Sequence, residues 1–175
     1  MRLLNLSFEY LNKPDFPTVS YDIFSILADN MTAIAPTGNS REEDYNLWYD
    51  AVCDGLKREE RQIILIKDNE TLVGFFQYYT NGDTFMMEEI QFKSEYQGKG
   101  VFRALYGFVI SHIREDIRFV EAYANISNNK SIGILEIFGM NNIGLNKTAE
   151  AITSKENIPI CWNGIIRGAI YEQTP

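Results

Sequence analysis

Histidine is nearly absent from this chain, which has His112 alone, and cysteine is limited to Cys53 and Cys161. The two cysteines have no metal-ligand spacing and one histidine cannot complete a zinc set, so no metal is expected. A single disulfide between them is open, but reduced thiols are the expectation for a chain read as cytoplasmic. The segment Met1-Arg2-Leu3-Leu4-Asn5-Leu6-Ser7 has no continuous apolar run and no small-residue cleavage site. No stretch is long and apolar enough to span a bilayer. Repeats, low-complexity tracts and Pro/Gly/Ser-rich linkers are also missing, so residues 1–175 are expected to form one domain. Basic side chains are outnumbered 16 to 24, for a net charge of -8. That field repels nucleic acid and anionic membrane surfaces, and mildly favours a cationic or amine-bearing partner.

Apolar material is plentiful. Hydrophobic residues at 45% and aromatics at 13% suffice for a core without covalent staples. Leu4 to Tyr10 alternates as a half-buried strand does, and Asn12 to Pro17 breaks it. Tyr21 to Ala28 reads as a short helix with Ser20 as its cap. After the loop Ala35–Asn39, Ser40 and Glu43 form a capping box, and Tyr45, Trp48, Val52 and Leu56 recur at helical spacing up to the solvated Arg58–Arg61. Three strands follow: Gln62 to Lys67, Thr71 to Thr80 and Asp83 to Lys93. Asp68-Asn69-Glu70 turns the first into the second, and Asn81-Gly82 turns the second into the third.

From Gly98 to about Glu115 the period becomes helical, with Leu105, Val109 and Ile113 in one stripe widened by Phe102 and Phe108. Phe119 to Ala124 reads as a strand and Asn129 to Phe138 as a helix stopped by Gly139. Leu145 to Ile152 and Ile160 to Tyr171 read as two closing strands, joined through Thr153–Asn157. The predicted order is β-α-α-β-β-β-α-β-α-β-β, a mixed α/β (α+β) layer architecture.

The segment with chemical content is Gln97-Gly98-Lys99-Gly100-Val101-Phe102-Arg103, where a strand ends and an amphipathic helix begins. Two glycines let the backbone approach a ligand, and the first helical turn offers unbonded N–H donors at a positive dipole end. Lys99 and Arg103 add countercharge. By itself, Gly-x-Gly also serves any tight strand-to-helix turn. A P-loop is excluded because Gly-x-x-x-x-Gly-Lys-[Ser/Thr] is absent. A Rossmann site is excluded because Gly-x-Gly-x-x-Gly is absent and the preceding strand belongs to an antiparallel hairpin.

This segment resembles the Gln/Arg-x-x-Gly-x-Gly/Ala acetyl-CoA loop of the GNAT superfamily of N-acetyltransferases, with Phe102 where a small residue is usual. Downstream, Asn128, Ser131, Ile132, Leu135, Glu136, Phe138, Gly139 and Met140 resemble the family's Asn-x-x-Ala-x-x-x-Tyr-x-x-x-Gly-Phe helix at intact spacing. The resemblance covers roughly Gln62 to Met140 and implies a GNAT fold that binds acetyl-CoA, without a metal, and acetylates an amine.

It further implies that Gln97 to Arg103 hold the pyrophosphate and that backbone groups at Ile90, Gln91 and Phe92 hold the thioester carbonyl. Asn128, Ser131 and Leu135 are implied to face the cofactor, Asn128 while also capping its helix. A carboxylate on the same strand as Ile90 serves as base in the family. Glu88 is the first candidate because it shares the parity of Met86, where many members carry the acid, and Glu89 is the second. Each is otherwise a solvated charge on a sheet face.

Leu135 departs from the tyrosine frequent in the family, a thiolate-protonating hydroxyl, which leaves Tyr106, Tyr123 or Cys161 as guesses for the acid, or water, or impaired catalysis. Tyr45, Trp48 and Tyr49 are candidates to line the acceptor site, or else an aromatic core stripe. The resemblance leaves a homodimer open. Two further readings of the same fold stay in play: a CoA-binding sensor without chemistry, and a scaffold that has lost both.

Overall fold

The computed structural model describes residues 4–32, 34–125, 128–137, 139–145 and 159–165. Eleven regular elements are described: β1 (Leu6–Tyr10), α1 (Phe16–Met31), α2 (Arg41–Leu56), β2 (Gln62–Asp68), β3 (Thr71–Asn81), β4 (Thr84–Phe92), α3 (Val101–His112), β5 (Phe119–Asn125), α4 (Asn129–Ile137), β6 (Asn141–Leu145) and β7 (Pro159–Ile165). Their order is the one read from the sequence. The chain packs as two compact units, Met1–Tyr79 with Glu89–Ser111, and Thr80–Glu88 with His112–Pro175.

In the first unit, β1, β2 and β3 form an antiparallel ladder from Leu6↔Asp68 to Tyr10↔Ile64 and from Gln62↔Tyr78 to Asp68↔Thr71. Strand alternation sends Ile63, Leu65 and Phe75 to one face, where they share a core with Phe16 and Ile23 of α1 and Val52 and Leu56 of α2. The opposite face carries Phe8 and Tyr10, whose rings pack against Phe108 of α3 with centroids 5.3 and 5.9 Å away. The candidate site lies where α1 ends and α3 begins.

Helix α1 differs from the expectation of Tyr21 to Ala28 with Ser20 as cap. It begins at Phe16 with Pro17 in its first turn, where a missing N–H removes no helical bond and the fixed φ suits the helix. The proline that reads as a breaker is therefore part of the start. Ser20 is buried inside the helix, its hydroxyl 3.1 Å from the Pro17 carbonyl and 2.8 Å from the Tyr45 hydroxyl.

Helix α2 starts as the sequence says. The Ser40 hydroxyl accepts from the Glu43 N–H at 3.2 Å, and a Glu43 carboxylate oxygen accepts from the Ser40 N–H at 2.8 Å. These Ser40 bonds hold the Glu43 carboxyl below the usual glutamate range. The box is therefore intact at neutral pH and is lost as pH falls through that lowered value. Ser40→Ala should cost about 1 kcal/mol in urea unfolding, because the N3 amide loses its acceptor.

In the second unit, β4 pairs with β5 in parallel from Thr84↔Phe119 to Met87↔Ala122. Strand β5 pairs antiparallel with β7, and β7 with β6. The turn before β4 centres on Gly82-Asp83, one residue later than expected. Only Gly82, at φ 59, is left-handed there, and Asn81 ends β3. Arg114 donates to the Gly82 carbonyl at 2.8 Å, and Arg118 Nε donates to Asp83 at 2.9 Å. The Arg118 bond holds the Asp83 carboxyl below its ordinary range. Recruiting Arg114 and Arg118 to this turn accompanies the end of α3 at His112 rather than Glu115.

The closing strands also differ. Strand β6 is Asn141–Leu145, so only Leu145 overlaps the expected Leu145 to Ile152, and 146–152 lie outside the described residues. Asn141, Asn142 and Gly144 are poor strand formers by propensity. Pairing with β7, with a register shift between Asn142 and Gly144, overrides that tendency. Strand β7 is Pro159–Ile165, and the remainder of the expected Ile160 to Tyr171 lies outside the described residues.

Candidate functional site

Strand β4 ends at Phe92, a single 3-10 turn spans Ser94–Tyr96, and Gln97 to Gly100 form a turn into α3. Gly98 and Gly100 sit at φ 71 and φ 78, the left-handed region where a side chain costs energy. No helix can continue through such residues, which is why α3 starts at Val101 and not at the expected Gly98. A Cβ at either glycine would meet nothing within 4 Å, so backbone dihedral, not crowding, demands glycine.

The first intrahelical bond of α3 runs from the Ala104 N–H to the Gly100 carbonyl at 3.2 Å. The N–H groups of Val101, Phe102 and Arg103 therefore precede the ladder, at the positive end of the helix. Val101 is buried and pins the helix start. Phe102 lies back along the helix on Tyr106, ring centroids 6.1 Å apart, which accounts for bulk at this motif position. Burial raises the Tyr106 hydroxyl to about 12, so it keeps its proton at neutral pH.

The turn is anchored twice. The Tyr96 hydroxyl donates to buried Asp68 at 3.0 Å, and Lys99 Nζ stands 5.9 Å over the Tyr96 ring. Gln97 Nε2 reaches the Asn30 Oδ1 and the Phe92 carbonyl, each at 3.3 Å. Asn30, in the last turn of α1, donates to the Phe92 carbonyl and to Gln91 Oε1, each at 2.8 Å, and Gln91 donates to Glu89 at 2.7 Å. Asn30, Asp68 and the anchoring role of Tyr96 escape the sequence reading, because each partner is remote in the chain and no local pattern marks it.

Of the two carboxylates, Glu88 is exposed and Glu89 is half-buried. Tyr45, Trp48 and Tyr49 lie on α2 facing α1. Tyr45 packs on Phe24 at 5.3 Å, and Trp48 and Tyr49 pack on Phe16 at 5.7 and 5.5 Å. The Tyr49 hydroxyl is raised, chiefly by its hydrogen bond with Cys53. A cleft of about 630 Å³ opens beside α1, lined by Asp22, Asp29 and Asn30 together with Lys93 and Glu95.

In the second unit, the Asn128 side chain accepts from the Ser131 N–H at 3.1 Å and caps α4. The other end closes with Met140 N–H on the Leu135 carbonyl at 3.0 Å and Gly139 N–H on Glu136 at 2.9 Å. That is a Schellman closure, and Leu135 and Met140 are both buried at its hydrophobic contact positions. The Tyr123 hydroxyl donates to Glu121 at 2.7 Å. The side chain of Cys161, the third guessed acid, lies outside those described. Among the described residues no group of three or more His, Cys, Asp or Glu could hold a metal, and no helix is long and apolar enough to cross a membrane.

The sequence model of the acetyltransferase (GNAT) family matches residues 21–140. The chain belongs to this family. No curated protein matches the sequence. Solved structures of this GNAT chain's fold include an acetyltransferase from Thermus thermophilus, with TM-score 0.69 and 13% identity over 94% of this chain and 99% of that one. PaiA N-acetyltransferase from Thermoplasma acidophilum, solved in complex with coenzyme A, has TM-score 0.69 and 13% identity over 90% and 98%. Mutant forms of the spermidine/spermine N-acetyltransferase SpeG from Vibrio cholerae have TM-score 0.63 and 15% identity over 97% and 98%. The GNAT fold expected from the two motifs is the one observed.

Proposed function

We propose that this GNAT chain transfers the acetyl group of acetyl-CoA directly to a primary amine of a small molecule or peptide. The observation that carries this reading is the left-handed pair Gly98 and Gly100, which presents three N–H groups ahead of the first helical bond of α3. Such an array suits a diphosphate, and Lys99 and Arg103 supply countercharge in an otherwise acidic protein. The coenzyme would bring the acetyl group as a reactive thioester. The coenzyme complex of PaiA and the polyamine named for SpeG support the choice of donor and acceptor class.

The chain's own residues then divide the work. Backbone at Ile90 to Phe92 orients the thioester carbonyl, and Glu89 takes a proton from the amine. This reverses the sequence preference for Glu88, because Glu89 is the half-buried one of the two and accepts from Gln91 beside the CoA loop. The leaving thiolate can take its proton from water or from Tyr106, the guessed acid in the first unit, which is protonated at neutral pH.

A second reading, a CoA-binding sensor without turnover, is favoured by Leu135. It stands in the tyrosine position and is committed to closing α4.

Melting with coenzyme A, followed by thiol release from acetyl-CoA over an amine panel that includes spermidine, separates the readings. CoA at a hundredfold over its Kd should stabilise the chain by about 2.7 kcal/mol. No shift at millimolar CoA rejects both readings. A shift without turnover on any amine leaves the sensor.

A further inference from the structure

Three side chains and one carbonyl form a chain of hydrogen bonds whose direction is fixed at both ends. The Phe92 carbonyl can only accept, so the Asn30 atom 2.8 Å from it is the amide nitrogen. That nitrogen also lies 2.8 Å from Gln91 Oε1, so Gln91 presents its own nitrogen to Glu89 at 2.7 Å. A carboxylate can only accept as well, so the two ends agree without an unsatisfied member. Asn30 Oδ1 then faces Gln97 Nε2, the first residue of the glycine turn.

We propose that Asn30 is a positioning residue: it locks the Gln91 amide in the orientation that gives Glu89 a donor, and it anchors the start of the CoA loop. This rests on the reading of Glu89 as base and of the glycine turn as the CoA loop. The amide donates twice, to Gln91 and to the Phe92 carbonyl, while accepting from Gln97, which a hydroxyl with one proton cannot do. Alanine removes both arms. Aspartate, the same shape, keeps an acceptor for Gln97 but cannot donate. Gln91 must then turn its nitrogen toward position 30 and its oxygen toward the Glu89 carboxylate.

The test compares Asn30→Asp and Asn30→Ala, each alone and in a Gln91→Ala background. Asn30→Asp should move the NMR cross-peaks of the Gln91 side-chain amide, which are identified by their loss in Gln91→Ala. It should leave CoA affinity, measured by calorimetry, near wild type. It should lower kcat roughly tenfold, the scale of one hydrogen bond to a charged group. Asn30→Ala should lower kcat and also weaken CoA severalfold, which splits the two arms.

In the Gln91→Ala background, Asn30→Asp should cost nothing further, whereas a mere effect of added charge would persist. Unmoved Gln91 peaks in Asn30→Asp, or the same kcat loss with and without Gln91, overturns the proposal. A wild-type chain without turnover rejects the acyltransferase reading alone. The Gln91 peaks and the CoA affinities then still decide for or against Asn30.

Discussion

Gly100→Ala should weaken coenzyme A by about five- to thirtyfold, because a side chain there costs roughly 1–2 kcal/mol in the left-handed region and a relaxed loop must return to it on binding. The residue sits at φ 78, and its carbonyl accepts the first helical bond of α3. An alanine can relieve the strain by rotating that peptide, which changes the entry into α3 and with it the three leading N–H groups. It can instead keep the conformation at the cost of stability. Nothing within 4 Å of the added Cβ would clash, so a loss of binding reports backbone geometry and not a blocked core.

The comparison is Gly82→Ala, at φ 59 in the β3–β4 turn and also with open space around the Cβ. It carries the same kind of strain with no link to the CoA loop. Its unfolding free energy should fall by a similar ~1–2 kcal/mol, while CoA affinity stays near wild type. Equal affinity in wild type and Gly100→Ala, measured by calorimetry, without a loss of unfolding free energy like that of Gly82→Ala, would show that the loop has rearranged and does not grip the coenzyme.

The parts of this fold legible in the sequence are those whose physics is local. Ser40 and Glu43 are three residues apart and satisfy each other, so pattern and structure coincide. Gly139 stops α4 because its φ of 73 allows the closure that turns Met140 back onto Leu135. The glycine pair is legible for the same reason. Where the reading fails, the deciding partner is distant.

Ser20 has cap chemistry, but Tyr45, 25 residues away, takes its hydroxyl into the interior. Asn30 is an unremarked residue late in a helix until Gln91 and Phe92, 61 and 62 positions on, meet it. Tyr96 binds Asp68 across 28 residues. Strand β6 forms from asparagines and a glycine only because β7 provides a ladder. The cofactor loop could therefore be read from the chain, and the network that supports it could not.

Glu89→Gln should lower kcat by about a hundredfold or more, the range of a lost general base, with little change in CoA affinity or melting. Glutamine has the shape of glutamate, and its amide oxygen can still accept the Gln91 N–H that now lies 2.7 Å from Glu89. The network therefore survives while the ability to take a proton does not. Glu88→Gln is the matched comparison, since neighbours on a strand face opposite sides and Glu88 is exposed. Its loss should be small.

The pH dependence sharpens the distinction. A carboxylate base gives a rate that rises as it deprotonates, so the acid limb of kcat/KM should disappear in Glu89→Gln and persist in Glu88→Gln. The opposite pattern would return the base to Glu88. An acid limb that persists in both variants would mean that neither carboxylate moves the proton, and the amine must then lose it to water before reaching the thioester.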